Sequence, residues 1–175
     1  MNYITKSDIN QFGSYSDRKN NFDDDMEIDV MINFLKTVYE NDPSITYKPK
    51  PYGDYDVDLG VYWGNKLATT VDVERWSAWN GDWPDFYRHV SFLGRKEKFL
   101  RKGVGFLMAY FNFDLTKVIV VDKQTILQYP TIDRHTKGKI DRIKKIDFDG
   151  ARLYGSNLTD REKSLFKKHY ELELK

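Results

Sequence analysis

Asp58, Asp72 and Glu74 are the residues through which this chain could do chemistry. They stand in the stretch from Asp54 to Trp76, where carboxylates recur at every second position on either side of Gly64-Asn65. Carboxylates that converge repel one another, so a protein gathers them where something cationic compensates. Ligands that are all oxygen suit Mg²⁺ or Mn²⁺ better than zinc. An ion held there could bind a phosphate oxygen, lower the pKa of a water and stabilise the charge that develops as a phosphodiester is cleaved.

Two extended segments joined by a turn at Gly64-Asn65 must position these groups. Side chains alternate along a strand, so Asp56 and Asp58 share one face of the first arm, with Val57, Leu59 and Val61 on the other. In the second arm Asp72 and Glu74 oppose Val71 and Val73. A turn of Gly64 and Asn65 alone would set Asp58 against Val71 and mix the faces. If the loop takes in Lys66, or a bulge supplies one extra residue, Asp58 lies opposite Asp72 and Asp56 opposite Glu74. Burial favours this second register, because Val57 and Leu59 then face Val73 and Val71.

Around this hairpin the pattern predicts an α/β (α+β) fold, one domain with a mixed central sheet flanked by helices. Residues 1–22 are polar and aperiodic and read as an N-terminal arm; residues 23–175 form the domain. Ile28, Met31, Ile32, Leu35, Val38 and Tyr39 mark one face of a helix that starts near Asp24 and is stopped by Asn41-Asp42-Pro43. Glu27 borders that apolar face. Ile45–Lys48, His89–Leu93, Gly105–Phe113, Lys117–Val121 and Thr125–Gln128 read as strands, and Arg95–Leu100 as a short basic helix or turn. Weak periodicity between Asp133 and Lys145 predicts loop or partial helix. Thr159 and Glu162 make a capping box for a terminal helix reaching about Glu173 through Leu165, Phe166, Tyr170 and Leu172.

This order of a helix, a strand carrying Asp58, a hairpin partner carrying Asp72-Val73-Glu74, then further sheet and helix resembles the PD-(D/E)XK nuclease superfamily, also called restriction-endonuclease-like. The likeness covers the chain from about Asp24 to Val121. It implies a restriction-endonuclease-like core and a metal-dependent nuclease that hydrolyses DNA with Mg²⁺ or Mn²⁺. Members work in restriction, repair, recombination or phage processes. The metal ligands implied are Asp58 and Asp72, with Glu74 and a supporting Glu27. Val57 stands at the family's proline, a common variation, and Glu74 stands where lysine is expected. Some members carry Glu there, and others bring a lysine from a neighbouring element, for which Lys96 and Lys98 are the candidates. A catalytically inactive relative that binds nucleic acid or a protein would carry the same pattern.

Charge fits a polyanionic partner in part. The net charge is only +1, but acidic residues crowd the first part and basic residues the later part. Arg95, Lys96, Lys98, Arg101 and Lys102, with Lys137, Lys139, Arg142, Lys144 and Lys145, suit a phosphate backbone, and Trp76, Trp79 and Trp83 suit stacking on bases. With an overall charge near neutral these residues do not themselves select nucleic acid; DNA is the partner that the resemblance implies. With no cysteine, disulfides, thiolate metal sites and cysteine nucleophiles are excluded. His89, His135 and His169 lack metal-ligand spacing. No apolar run is long enough to cross a bilayer and no secretory pattern opens the chain, so no membrane partner and a cytoplasmic location are expected.

Overall fold

The computed structural model describes residues 26–77, 79, 81, 88–147, 152–155 and 158–170. Helix α1 (Met26–Val38) buries Ile28, Met31, Leu35 and Val38 as the apolar spacing predicts, but Val30 and Phe34 join them while Ile32 and Tyr39 are only partly buried. Glu40 and Asn41 then take positive φ, which ends the helix before Pro43.

Strands β1 (Ile45–Pro49), β2 (Leu59–Trp63) and β3 (Lys66–Arg75) follow as an antiparallel meander. Gly64 and Asn65 alone make the β2–β3 turn, with Trp63 paired to Lys66. A register shift between Val61 and Tyr62 then supplies the extra residue and sets Leu59 opposite Val71. The register predicted on burial grounds is thus reached through the bulge. Its apolar set differs in one member. The strand starts at Leu59, and Val57, which precedes it, packs with Trp79 and Phe92 instead of with Leu59 and Val61.

Strand β4 (His89–Leu93) runs into a 3₁₀ helix (Gly94–Arg101), which leads to β5 (Gly105–Phe111). β5 pairs parallel to β3, with Asp72 beside Met108 and Glu74 beside Tyr110. β6 (Lys117–Asp122) continues antiparallel, and β9 (Arg152–Gly155) closes the edge of a mixed six-stranded sheet ordered β1-β2-β3-β5-β6-β9. β7 (Ile132–Thr136) and β8 (Lys139–Asp147) join β4 in a second, three-stranded sheet.

Alternation along β5 and β6 splits the interior into two layers. Leu107, Ala109, Phe111, Val118 and Val120 pack with α1 and with Phe166 of helix α3 (Asp160–His169). Phe106, Met108, Tyr110, Ile119 and Val121 pack with Val90, Phe92, Phe99 and Ile146 from the second sheet and the 3₁₀ helix. The central strands are apolar on both faces because both are covered, so the chain is one mixed α/β domain.

Three expectations about elements change. Lys123–Leu127 is a short helix, α2, not a strand, because Asp122 caps it by accepting the Thr125 N–H at 2.9 Å. The segment from Asp133 to Lys145 is extended, not loop or helix. Thr136 pairs with Lys139 across a two-residue turn in which Lys137 and Gly138 both have positive φ, as a tight hairpin requires. Its alternation is hidden in the sequence because charged side chains occupy both faces. The capping box at Thr159 and Glu162 forms as expected, but Leu165 is exposed at 39% and Phe166 and Tyr170 carry the helix's packing. Residues 1–25, and with them the expected arm, lie outside the described residues, as do Leu172 and Glu173. Among the described residues no helix is long and apolar enough to cross a membrane.

Candidate active site

Asp72 and Glu74 point from β3 into the layer beneath the second sheet, on the side of Met108 and Tyr110. Asp58 stands immediately before β2 and reaches across to β3, where its Oδ2 accepts the Val73 N–H at 2.9 Å. That bond holds Asp58 beside β3, near enough to Asp72 for its charge to raise the Asp72 pKa. Lys96 comes down from the 3₁₀ helix and closes the group. Its Nζ lies 2.7 Å from Asp72 Oδ2 and 3.2 Å from Glu74 Oε2. The other Glu74 oxygen accepts the Trp76 indole N–H at 2.9 Å.

The electrostatics follow from three carboxylates and one ammonium in a largely dry place. Burial pushes the Asp72 carboxyl up to about 7; Lys96 opposes this and the neighbouring Asp58 adds to it. Burial alone would favour a neutral Lys96, but the charges of Asp72 and Glu74 outweigh it and hold the amine above its ordinary value. Lys96 is therefore charged at neutral pH, and the site still carries excess negative charge. Burial, reinforced by Glu74 and Asp72, also pushes the Tyr110 phenol well up, so Tyr110 stays protonated and donates to the Ser91 carbonyl.

Other residues singled out in the sequence go elsewhere. Glu27 accepts an ion pair from Arg75 Nε at 3.1 Å. Arg75 alternates with Glu74 along β3, so this pair lies on the α1 side of the sheet and is not brought to Asp72. Lys98 donates to the Tyr55 carbonyl and not to the carboxylates. At three residues per turn, positions two apart on a 3₁₀ helix point in different directions, so only one of Lys96 and Lys98 can reach the site. Asp56, expected opposite Glu74, pairs with Lys102 at 3.0 Å because β2 begins only at Leu59. Lys102 also lies 4.0 Å from the Tyr52 ring centre. Arg95 and Arg101 are exposed on the 3₁₀ helix. Trp79 is 0% exposed within the core, which removes it from the surface as a stacking residue for bases; its apolar neighbours Val57, Val90 and Phe92 claim the ring. Trp83 lies outside the described residues.

Trp76 and Tyr110 are the supporting groups that reading the sequence alone did not assign. Strand parity could have found Trp76, since it follows Glu74 by two and shares its face. Tyr110 needed the β3–β5 register, which joins segments 36 positions apart.

The donor set admits a hard divalent cation in one form. Among the described residues no three His, Cys, Asp or Glu side chains gather as a metal-holding group. Asp58 and Asp72 do form a pair with negative charge to spare, and Mg²⁺ is commonly held by one or two carboxylates with water and substrate phosphate completing its shell. Glu74 is already engaged by Lys96 and Trp76. Comparison with protein-family models and with curated proteins finds no match to the chain.

Proposed function

We propose that the protein is a metal-dependent nuclease that hydrolyses phosphodiester bonds in DNA. The observation that carries this reading is the meeting of Asp58, the β3 residues Asp72 and Glu74, and Lys96 of the 3₁₀ helix around the buried Asp72 carboxyl, three carboxyl groups against the Lys96 amine. What supports it is that Asp58, immediately before β2, and Asp72 and Glu74 on β3 lie together with an amine from the 3₁₀ helix.

Asp58 and Asp72 would hold Mg²⁺ or Mn²⁺, and the chemistry supplied by that ion when bound is polarisation of a phosphate oxygen and a water of lowered pKa. The Val73 N–H keeps Asp58 in place for that task. Asp72, whose carboxyl pKa burial holds up, would be held ionised by the charge of that ion and by Lys96. Glu74, oriented by Trp76, would direct a water, and Lys96 would stabilise charge on the phosphoryl oxygens.

The test is cleavage of a panel of single-stranded, double-stranded and structured DNA with Mg²⁺ or Mn²⁺, compared with Asp72→Asn. Cleavage that needs the ion and disappears in the variant is expected. Absence of cleavage on every substrate by a folded wild-type protein refutes the enzyme. One observation favours a second reading, an inactive nuclease-like module that binds nucleic acid or a protein: the Lys96 ammonium pairs with both Asp72 and Glu74. In that case binding proceeds without divalent ions and nothing is cut.

A further inference from the structure

On the far side of the 3₁₀ helix from Asp72, a cleft of about 490 Å³ opens between this helix and the β7–β8 hairpin. Arg95, Arg134 and Arg142 line it. Arg134 gives one guanidinium nitrogen to Asp141 at 3.2 Å, while its Nε is buried with no hydrogen-bond partner among the described residues. Leaving a buried donor unmade is costly, and the guanidinium fork matches phosphate oxygens. Arg95 and Arg142 are exposed. Glu97, which accepts from the Thr131 hydroxyl at 2.8 Å, and Asp141, paired with Arg134, also line the cleft, and three arginines against two carboxylates leave it net positive. After burial itself, the charges of Lys145 and Arg134 hold the nearby His89 imidazole below its ordinary pKa, which marks the same positive field. The cleft walls are fixed closely: a Cβ on Gly94 would stand 2.8 Å from the Arg142 carbonyl oxygen. Leu93 and Ile140 add apolar surface that a sugar or base can rest on.

We propose that this cleft is a phosphate subsite, in which Arg95, Arg134 and Arg142 hold a phosphoryl group of a nucleotide unit away from the carboxylates. It rests on the nuclease reading for its ligand class, and its position gives it a role. Arg95 and Lys96 are adjacent on one short helix, so a strand whose phosphate is clamped by Arg95 is held in register with the site that Lys96 enters. Phosphate contacts of this kind set position and not sequence preference.

The experiment measures binding of a short fluorescent DNA strand by anisotropy across a salt series, without divalent ions, in an Asp72→Asn background. Arg95→Ala with Arg142→Ala is compared with Lys36→Ala with Lys167→Ala, which removes the same charge from the helical face. The arginine pair is expected to lose about tenfold in affinity and about 1.4 in the log–log salt slope, the value for two lost contacts to a single strand. The lysine pair is expected to change little. Asp141→Asn, which frees Arg134 without removing a cation, is expected to tighten binding. Equal losses in the two pairs, or no tightening in Asp141→Asn, overturn the proposal. Competition with inorganic phosphate and with dAMP separates the sources: weak competition at matched phosphate concentration assigns the subsite to the strand backbone, and efficient competition that depends on the two arginines assigns it to a free nucleotide phosphate. A wild-type protein that shows the arginine effects and cuts nothing fails the nuclease reading while leaving the subsite intact.

Discussion

Replacing Lys96 with Met removes the amine that pairs with Asp72 and leaves a side chain of similar reach. In the native protein Asp72 titrates at about 7, against about 3.9 for an unfolded aspartate. Below pH 7 the folded Asp72 is already protonated, and losing the ammonium beside it changes its contribution little. Above pH 7 the native carboxylate ionises because Lys96 supports it, while the variant's carboxyl keeps its proton. The folded variant then binds one more proton than its unfolded chain, and its stability falls with pH at about 1.4 kcal/mol per unit where the native curve is flat. The expected extra loss is about 1.4 kcal/mol at pH 8 and about 2.7 kcal/mol at pH 9, below the roughly 3–5 kcal/mol that breaking a buried ion pair can cost. The lost bond to the less buried Glu74 adds a smaller part, about 0–1 kcal/mol, that does not vary over this range. Urea unfolding followed by tryptophan fluorescence at pH 6, 8 and 9 measures the difference. A loss of the same size at all three values would refute the charge accounting at Asp72. The double variant with Asp72→Asn should lose the pH dependence.

Two further outcomes separate site residues from their neighbours. Trp79→Ala should destabilise the protein by about 3–5 kcal/mol in thermal or urea unfolding, as expected for a large buried ring, and leave the DNA affinity of the folded fraction unchanged. Lys98→Ala should alter any Mg²⁺-dependent cleavage rate less than about threefold and stability by no more than about 0.5 kcal/mol, because the residue is exposed and its amine donates to the Tyr55 carbonyl, away from Asp72.

Most of what places Asp58 near Asp72 was legible in the chain. Burial of Leu59 and Val71 required one extra residue in the hairpin, and the Val61–Tyr62 bulge provides it. Legibility ended where long-range pairing or hidden alternation took over. Lys96 and Lys98 were equal candidates until the helix type was known, since both stand in the same basic run from Arg95 to Lys102. Glu27 borders an apolar helical face, which says that it is directed inward but not toward which side of the sheet. Trp79 looked like surface because it sits among polar loop residues; the layer that buries it comes from β4, β5 and β8, far along the chain. The β7–β8 hairpin was missed for a related reason: period-two order is invisible when Arg134, Asp141, Arg142 and Lys145 populate both faces.

The parallel pairing of β3 with β5 reaches beyond packing. Two parallel neighbours cannot be joined by a tight turn, so the chain must cross over one face of the sheet. Here the crossing segment contains the 3₁₀ helix, and it lies over the face to which even-numbered positions of β3 point. Connectivity thereby decides which of the strand's two rows of side chains meets an amine. A lysine at position 74 would tie the cation to the strand's own pleat. Delivered from the crossover, the cation is inherited from the topology, and the strand can spend both Asp72 and Glu74 on the same row.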